Sequence, residues 1–132
     1  MVRLASWDSI KQEIVAKSDK LIALYGHAAA PGVRTLEAYH IEMPQPLGIV
    51  WFSHCGLKTI EILSSYTESH VQRCGIRTFI HKSMLSGYPT VDRIISGSGT
   101  ESGKAWMIKQ GYTETPDGWV YQRITPEQKA SV

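Results

Sequence analysis

Apolar residues near the start of the chain recur at helical spacing. Ile10, Ile14, Leu21 and Leu24 fall near one face, with Lys11, Glu13 and Lys20 elsewhere. The spacing predicts a helix over Ser6–Tyr25, capped by Ser6 or Asp8 and stopped by Gly26. His27–Gly32 reads as a small-residue loop closed by Pro31-Gly32. Strand patterns follow. Thr35–Met43 alternates weakly and is broken by Pro44-Gln45-Pro46, and Leu47–His54 is dense in β-formers (Ile49, Val50, Trp51, Phe52). Cys55-Gly56-Leu57-Lys58 is a tight connection, which predicts a hairpin between this strand and Thr59–Thr67. On the latter, Ile60, Ile62 and Ser64 point one way and Glu61, Leu63 and Ser65 the other.

The period then changes. Ile76, Phe79, Ile80 and Leu85 form the apolar side of a helix over Ile76–Ser86. A short strand at Val91–Ser96, a loop at Gly97–Thr100 and a helix at Ser102–Gln110 ended by Gly111 come next. Tyr112–Arg123 holds one or two strands around the turn Pro116-Asp117-Gly118, and the polar tail after Thr125 is expected to fray. The fold class is mixed α/β, without the regular βαβ alternation of a doubly wound sheet. One domain over residues 1–132 is expected, with its core in 33–123.

Composition removes several function classes. The chain has 132 residues, 42% of them hydrophobic and 20% charged, so it can build a core without staples. A net charge of +2 is too small to point to nucleic acid. No apolar run is long enough to span a bilayer, and the N-terminal residues have no signal-peptide core. Cys55 and Cys74 read as free thiols in a reducing, cytoplasmic setting. The spacing of His54, Cys55, His70 and Cys74 matches no structural zinc pattern, so no metal is expected.

The candidate chemistry lies in Gln72-Arg73-Cys74-Gly75-Ile76-Arg77-Thr78, a glycine-bearing turn between a strand and a helix N-terminus. The first N–H groups of a helix lack intrahelical partners and carry the positive end of its dipole, so phosphate oxygens fit there. Gly75 has no Cβ to hold a ligand away from the backbone. Glu61 stands on the preceding strand, a carboxylate behind a phosphate-binding turn.

These residues resemble the GNAT superfamily of acyl-CoA N-acyltransferases, whose pyrophosphate turn reads Gln/Arg-x-x-Gly-x-Gly/Ala. Gln72, Arg73, Cys74, Gly75, Ile76 and Arg77 stand at the matching positions. Glu61 matches the glutamate base of the superfamily's protein-lysine acetyltransferases in residue type and in spacing from the glutamine. Gly103–Tyr112 resembles the last helix and its Lys-x-Gly-Phe/Tyr ending. The resemblance covers about residues 33–123. It implies a mostly antiparallel twisted sheet flanked by helices, with a shortened N-terminal part. It also implies acetyl-CoA as co-substrate and direct transfer to a primary amine, with Glu61 as general base. The acceptor stays open between a protein lysine and a small amine. Many relatives dimerise through sheet or helix edges, and the sequence leaves that open as well.

By the same resemblance, N–H groups of Ser65, Tyr66 and Thr67 would face the thioester and the pantetheine arm. Amides of Arg73, Cys74, Gly75, Ile76, Arg77 and Thr78 would hold the pyrophosphate. Burial of Glu61 among Ile60, Ile62 and Leu63 would tune it for proton transfer. The chain departs from the pattern at Arg77, which replaces a small residue, and at Met107, which replaces a tyrosine acid. Arg77 would either block the turn or add a phosphate contact. These departures keep a second reading open, a catalytically degenerate fold that serves as a protein-binding module.

Overall fold

A computed structural model describes residues 7–15, 19–28, 30–97, 100–116 and 118–123. The expected cap Ser6, the loop residues Ser98 and Gly99, the turn residue Asp117 and the tail after Thr125 lie outside them. In chain order the elements are α1 (Trp7–Val15), β1 (Leu21–His27), β2 (Arg34–His40), β3 (Gly48–His54), β4 (Thr59–Thr67), a 3-10 turn (Ser69–Val71), α2 (Ile76–Gly87), β5 (Arg93–Ser96), α3 (Glu101–Gln110), β6 (Thr113–Thr115) and β7 (Gly118–Gln122). The strands form one seven-stranded sheet of order β1-β2-β3-β4-β5-β7-β6. Every neighbouring pair is antiparallel except β4–β5, where α2 makes the crossover between parallel strands.

The helix expected over Ser6–Tyr25 is corrected to a helix ending at Val15 and a strand beginning at Leu21. Leu21 and Leu24 fit helical spacing, but Leu21-Ile22-Ala23-Leu24-Tyr25 also fits a strand, and pairing along all of β2 decides for the strand. Gly26, read as a helix stop, is a strand residue; a Cβ there would lie 2.8 Å from Thr35 Oγ1. The Ile41 N–H donates to Lys20 O, and Lys20 Nζ meets Glu42 Oε1 at 3.0 Å, which closes this end of the β1–β2 pair.

Alternation along the strands separates two unlike faces. Leu36, Ala38, Val50, Phe52, Ile60 and Ile94 point inward and are fully buried. They join Ile10 and Ile14 of α1, Ile76, Ile80 and Met84 of α2, and Met107 of α3 in one core cluster. The three described helices therefore pack into one core on a single face of the sheet. Gly48 lets α2 approach closely, since a Cβ there would stand 2.7 Å from Ile76 Cγ2 and 3.2 Å from Ile80 Cδ1. On the opposite face, no described helix contributes to a core.

β4 carries a bulge. Trp51 faces Ser64 while the next residue, Phe52, faces Ile62, so Leu63 is the extra residue. The simple alternation expected for Thr59–Thr67 therefore ends at Leu63. β4 pairs with β5 only over Thr59–Ile62, and Leu63–Thr67 has no β5 partner. The two central strands part at the bulge.

Candidate active site

The turn after β4 is shaped by two left-handed residues, Arg73 at φ 64° and Gly75 at φ 91°. Gly75 is the N-cap of α2 and brings no side-chain cap. Two properties of this position suit a glycine. Its φ lies in the left-handed region that glycine adopts without strain, and a Cβ there would meet nothing within 4 Å, so the space above it is open. The first intrahelical bond runs from Phe79 N–H to Gly75 O, which leaves the amides of Ile76, Arg77 and Thr78 without helical acceptors. Cys74 differs from its neighbours, because its N–H already donates to Val71 O at 3.3 Å.

These groups line a cleft of about 480 Å³. Of the residues singled out in the sequence, Thr67, Gln72, Arg73, Gly75, Ile76, Arg77 and Thr78 reach it, joined by Val71, Thr100, Gly103 and Trp106. Thr100 caps α3 by accepting a hydrogen bond from Gly103 N–H at 3.2 Å. Two helix N-termini thus converge on one cleft. Trp106 is half-buried, and its Nε1 donates to Thr78 Oγ1 at 3.0 Å. This bond ties α3 to the first turn of α2. A polar partner for an indole across two helices has no signature in local sequence.

Arg77 does not close the turn. Its guanidinium carbon lies 4.9 Å from the Trp106 ring centroid, a cation–π contact at the wall of the cleft. Burial pulls the Arg77 pKa below the usual arginine value, and the cation is held without a carboxylate in any ion pair seen among the described residues. Behind it lie His81 and Tyr112, with Tyr112 Oη 3.3 Å from His81 Nδ1. Burial lowers the His81 pKa to about 4, helped by the neighbouring Arg77 charge. Burial pushes Tyr112 up to about 12. Neutral His81 is thus built into the floor behind the cleft.

The His81 shift has a consequence for stability. The unfolded chain protonates this ring near pH 6.5 and the folded chain near 4. The stabilisation is complete above pH 6.5 and is lost as pH falls towards 4, to an extent of about 3 kcal/mol. Thermal melts from pH 7 to 4 should show this slope, and a His81→Gln variant should melt with a shallower one. Equal slopes would remove the assignment.

Ser65, Tyr66, Cys74 and Glu61 do not line the cleft. The Glu68 N–H donates to Leu47 O on the β3 side. Two-residue alternation then turns the Tyr66 N–H towards β3 as well, and those of Ser65 and Thr67 towards the gap left by β5. Tyr66 is thereby corrected from an amide donor at the gap to a β3-bonded residue with a half-exposed ring. Glu61 is exposed, on the face opposite Ile60 and Ile62, beside the last β4–β5 pairs. The burial expected for it is absent. Met107 is 5% exposed and packs in the core. Among the described residues no three His, Cys, Asp or Glu side chains gather as metal ligands, and both cysteines are free. No described helix is long and apolar enough to cross a membrane.

No family model and no curated protein matches the chain. Solved structures do. A GNAT family acetyltransferase from Elizabethkingia anophelis with acetyl-CoA bound is 15% identical, with 74% of this chain and 79% of that one covered at a TM-score of 0.58. YhhK from E. coli, solved with coenzyme A bound, is 19% identical over 91% of this chain and 92% of that one, at 0.61. An IAA acetyltransferase from Bacillus cereus is 17% identical over 72% and 78%, at 0.57. The parallel crossover through α2, the parting of β4 from β5 and the open turn at Gly75 are therefore set in a known architecture: the chain has the fold of the GNAT acetyltransferases.

Proposed function

We propose that this protein is an acetyl-CoA-dependent N-acetyltransferase acting on a primary amine in a ternary complex. The observation that carries the reading is the cleft at the α2 N-terminus, continuous in sequence with the gap between β4 and β5. Pyrophosphate would sit on the amides of Gly75, Ile76, Arg77 and Thr78, with the Gln72 and Arg73 side chains at its rim. The pantetheine arm would run towards the gap, where the Ser65 and Thr67 N–H groups point. One of these amides would donate to the thioester oxygen as it gains charge.

The chemistry is an aminolysis. The amine nitrogen attacks the thioester carbonyl carbon, an amide bond forms, the C–S bond breaks and coenzyme A leaves as a thiolate that water protonates. The amine proton passes to the Glu61 carboxylate, directly or through one water. Glu61 lies on the face opposite the helices, so the amine would enter from that side and meet the thioester through the gap. Exposure of Glu61 keeps it in contact with solvent, which can carry the proton away. Proximity of the two reactants supplies a large share of the acceleration, about 7–11 kcal/mol in favourable cases. A cytoplasmic setting fits the two free thiols.

Calorimetric titration with acetyl-CoA, desulfo-CoA and ADP tests the reading. Saturable binding of the first two with weaker binding of ADP is expected. Absence of binding at millimolar acetyl-CoA would overturn it and favour the protein-binding reading.

A further inference from the structure

Among the described residues, helices cover the sheet on one face only. The other face is not the polar surface that a solvated antiparallel sheet presents. Its outward positions include Ile22 and Leu24 on β1, Ile49 and Trp51 on β3, Leu63 and Tyr66 on β4, and Ile95 on β5. Leu24 is 52% exposed, Leu63 48% and Tyr66 49%. These side chains are near neighbours: Leu24, Glu37, Ile49 and Tyr66 form one cross-strand row, and Trp51 and Ser64 belong to the next. A contiguous apolar surface of this kind marks an interaction site.

The charges on this face select among occupants. The charged side chains at outward positions of the described strands are Glu37, Glu61 and, at the far end of β5, Arg93. The two carboxylates stand within the apolar field. Glu37 is held in place by Tyr39 Oη, which donates to Oε1 at 3.2 Å, and by Thr35 Oγ1, which donates to Oε2 at 3.4 Å. A second copy of the chain would set two such acidic, apolar faces against each other and bury carboxylates. A cationic, apolar partner meets both features.

We propose that this bare face docks the acceptor as a helical segment of another protein, apolar on one side and carrying two lysines. One lysine reaches Glu61 and the gap, and the other is anchored at Glu37. The inference rests on the acetyl-transfer reading in one respect, that the occupant is the acceptor. Geometry fixes the lysine spacing. Glu37 and Glu61 are two strands apart and four residues apart along the strand direction, which is about 10 Å by about 13 Å, or about 16 Å in all. An α-helix covers that distance in about eleven residues.

The probe is a synthetic amphipathic Ala/Leu helix with two lysines about eleven residues apart. Controls are the same peptide with lysines four apart and the single amino acid Nα-acetyl-lysine. Binding is measured by calorimetry without acetyl-CoA, and transfer is measured separately with it. The expected result is that the first peptide binds, that its kcat/KM exceeds that of Nα-acetyl-lysine by tenfold or more, and that Leu24→Glu and Glu37→Gln each cut its affinity severalfold. Neither variant should change acetyl-CoA affinity or the rate with Nα-acetyl-lysine. Equal binding of both peptides, or wild-type peptide affinity in Leu24→Glu, would overturn the docking surface. A dimer in sedimentation that Leu24→Glu dissociates would overturn it in favour of a second copy. Peptide binding without transfer, while Nα-acetyl-lysine is still acetylated, would overturn the acceptor role of the docked helix and leave the proposed reaction standing; transfer to neither amine would count against the reaction itself.

Discussion

Replacing Glu61 with Gln is expected to lower kcat for amine acetylation by roughly a hundredfold or more, in line with the usual worth of a positioned general base. Acetyl-CoA affinity should stay within about twofold of wild type, because Glu61 is not among the cleft residues and lies on the other face of the sheet. The substitution is nearly isosteric at an exposed position, so folding should be untouched. The deficit should shrink as pH rises, since an amine that is already neutral has less need of a base. The measurement is a pair of pH–rate profiles at saturating acetyl-CoA, with cofactor affinity measured alongside. Wild-type turnover in the variant across the range would remove Glu61 from the mechanism. Unchanged turnover with a weakened cofactor would place it in binding instead.

The second large effect is expected at a residue with no chemistry. Gly48→Val puts a branched side chain where even a Cβ would stand 2.7 Å from Ile76 Cγ2, with Ile80 Cδ1 and the Tyr66 carbonyl oxygen both at 3.2 Å. The two isoleucines are buried, at 1% and 0% exposure, so neither can swing into solvent without losing core contact. Overpacking of this kind costs about 1–3 kcal/mol, and the backbone oxygen on the third side argues for the upper end. The thermal midpoint should fall by about 10 °C. Ile76 is also the first residue of α2, so relief comes by shifting the amides that face the cleft. Acetyl-CoA affinity should therefore drop at least tenfold even at temperatures where the variant is folded. A destabilised variant with normal affinity would show that α2 pivots about its N-terminus rather than moving there.

Most strands were legible because their patterns are dense and local. Ile49-Val50-Trp51-Phe52 leaves little choice, and the connection from Cys55 to Lys58 fixes the hairpin. Leu21–His27 was misread because its apolar residues satisfy two periods at once. The contacts that choose between them come from β2, up to nineteen positions away at Leu21↔His40. The turn before α2 could be read from Gly75 and its neighbours, yet its φ of 91° could not, since a left-handed angle and an open space leave the same letter in the sequence. The Leu63 bulge was hidden for a related reason. It is a mismatch between two strands, and neither strand alone records it. Trp106 was invisible as a cleft residue because an indole bonded to Thr78 and stacked with Arg77 looks, in sequence, like any core tryptophan.

The short join between β4 and β5 bears on how the molecule holds together. Four residue pairs, from Thr59↔Arg93 to Ile62↔Ser96, are the sheet's whole seam between its first four strands and its last three. The Trp106–Thr78 bond and the contacts of Arg123 with Leu85, Tyr88 and Val91 carbonyls bridge the same division on the helical side. A ligand lying in the gap would supply the missing rungs of a ladder that stops half-way. It would then act as a mechanical member of the protein, and its departure would let the two halves flex against each other about the four remaining rungs.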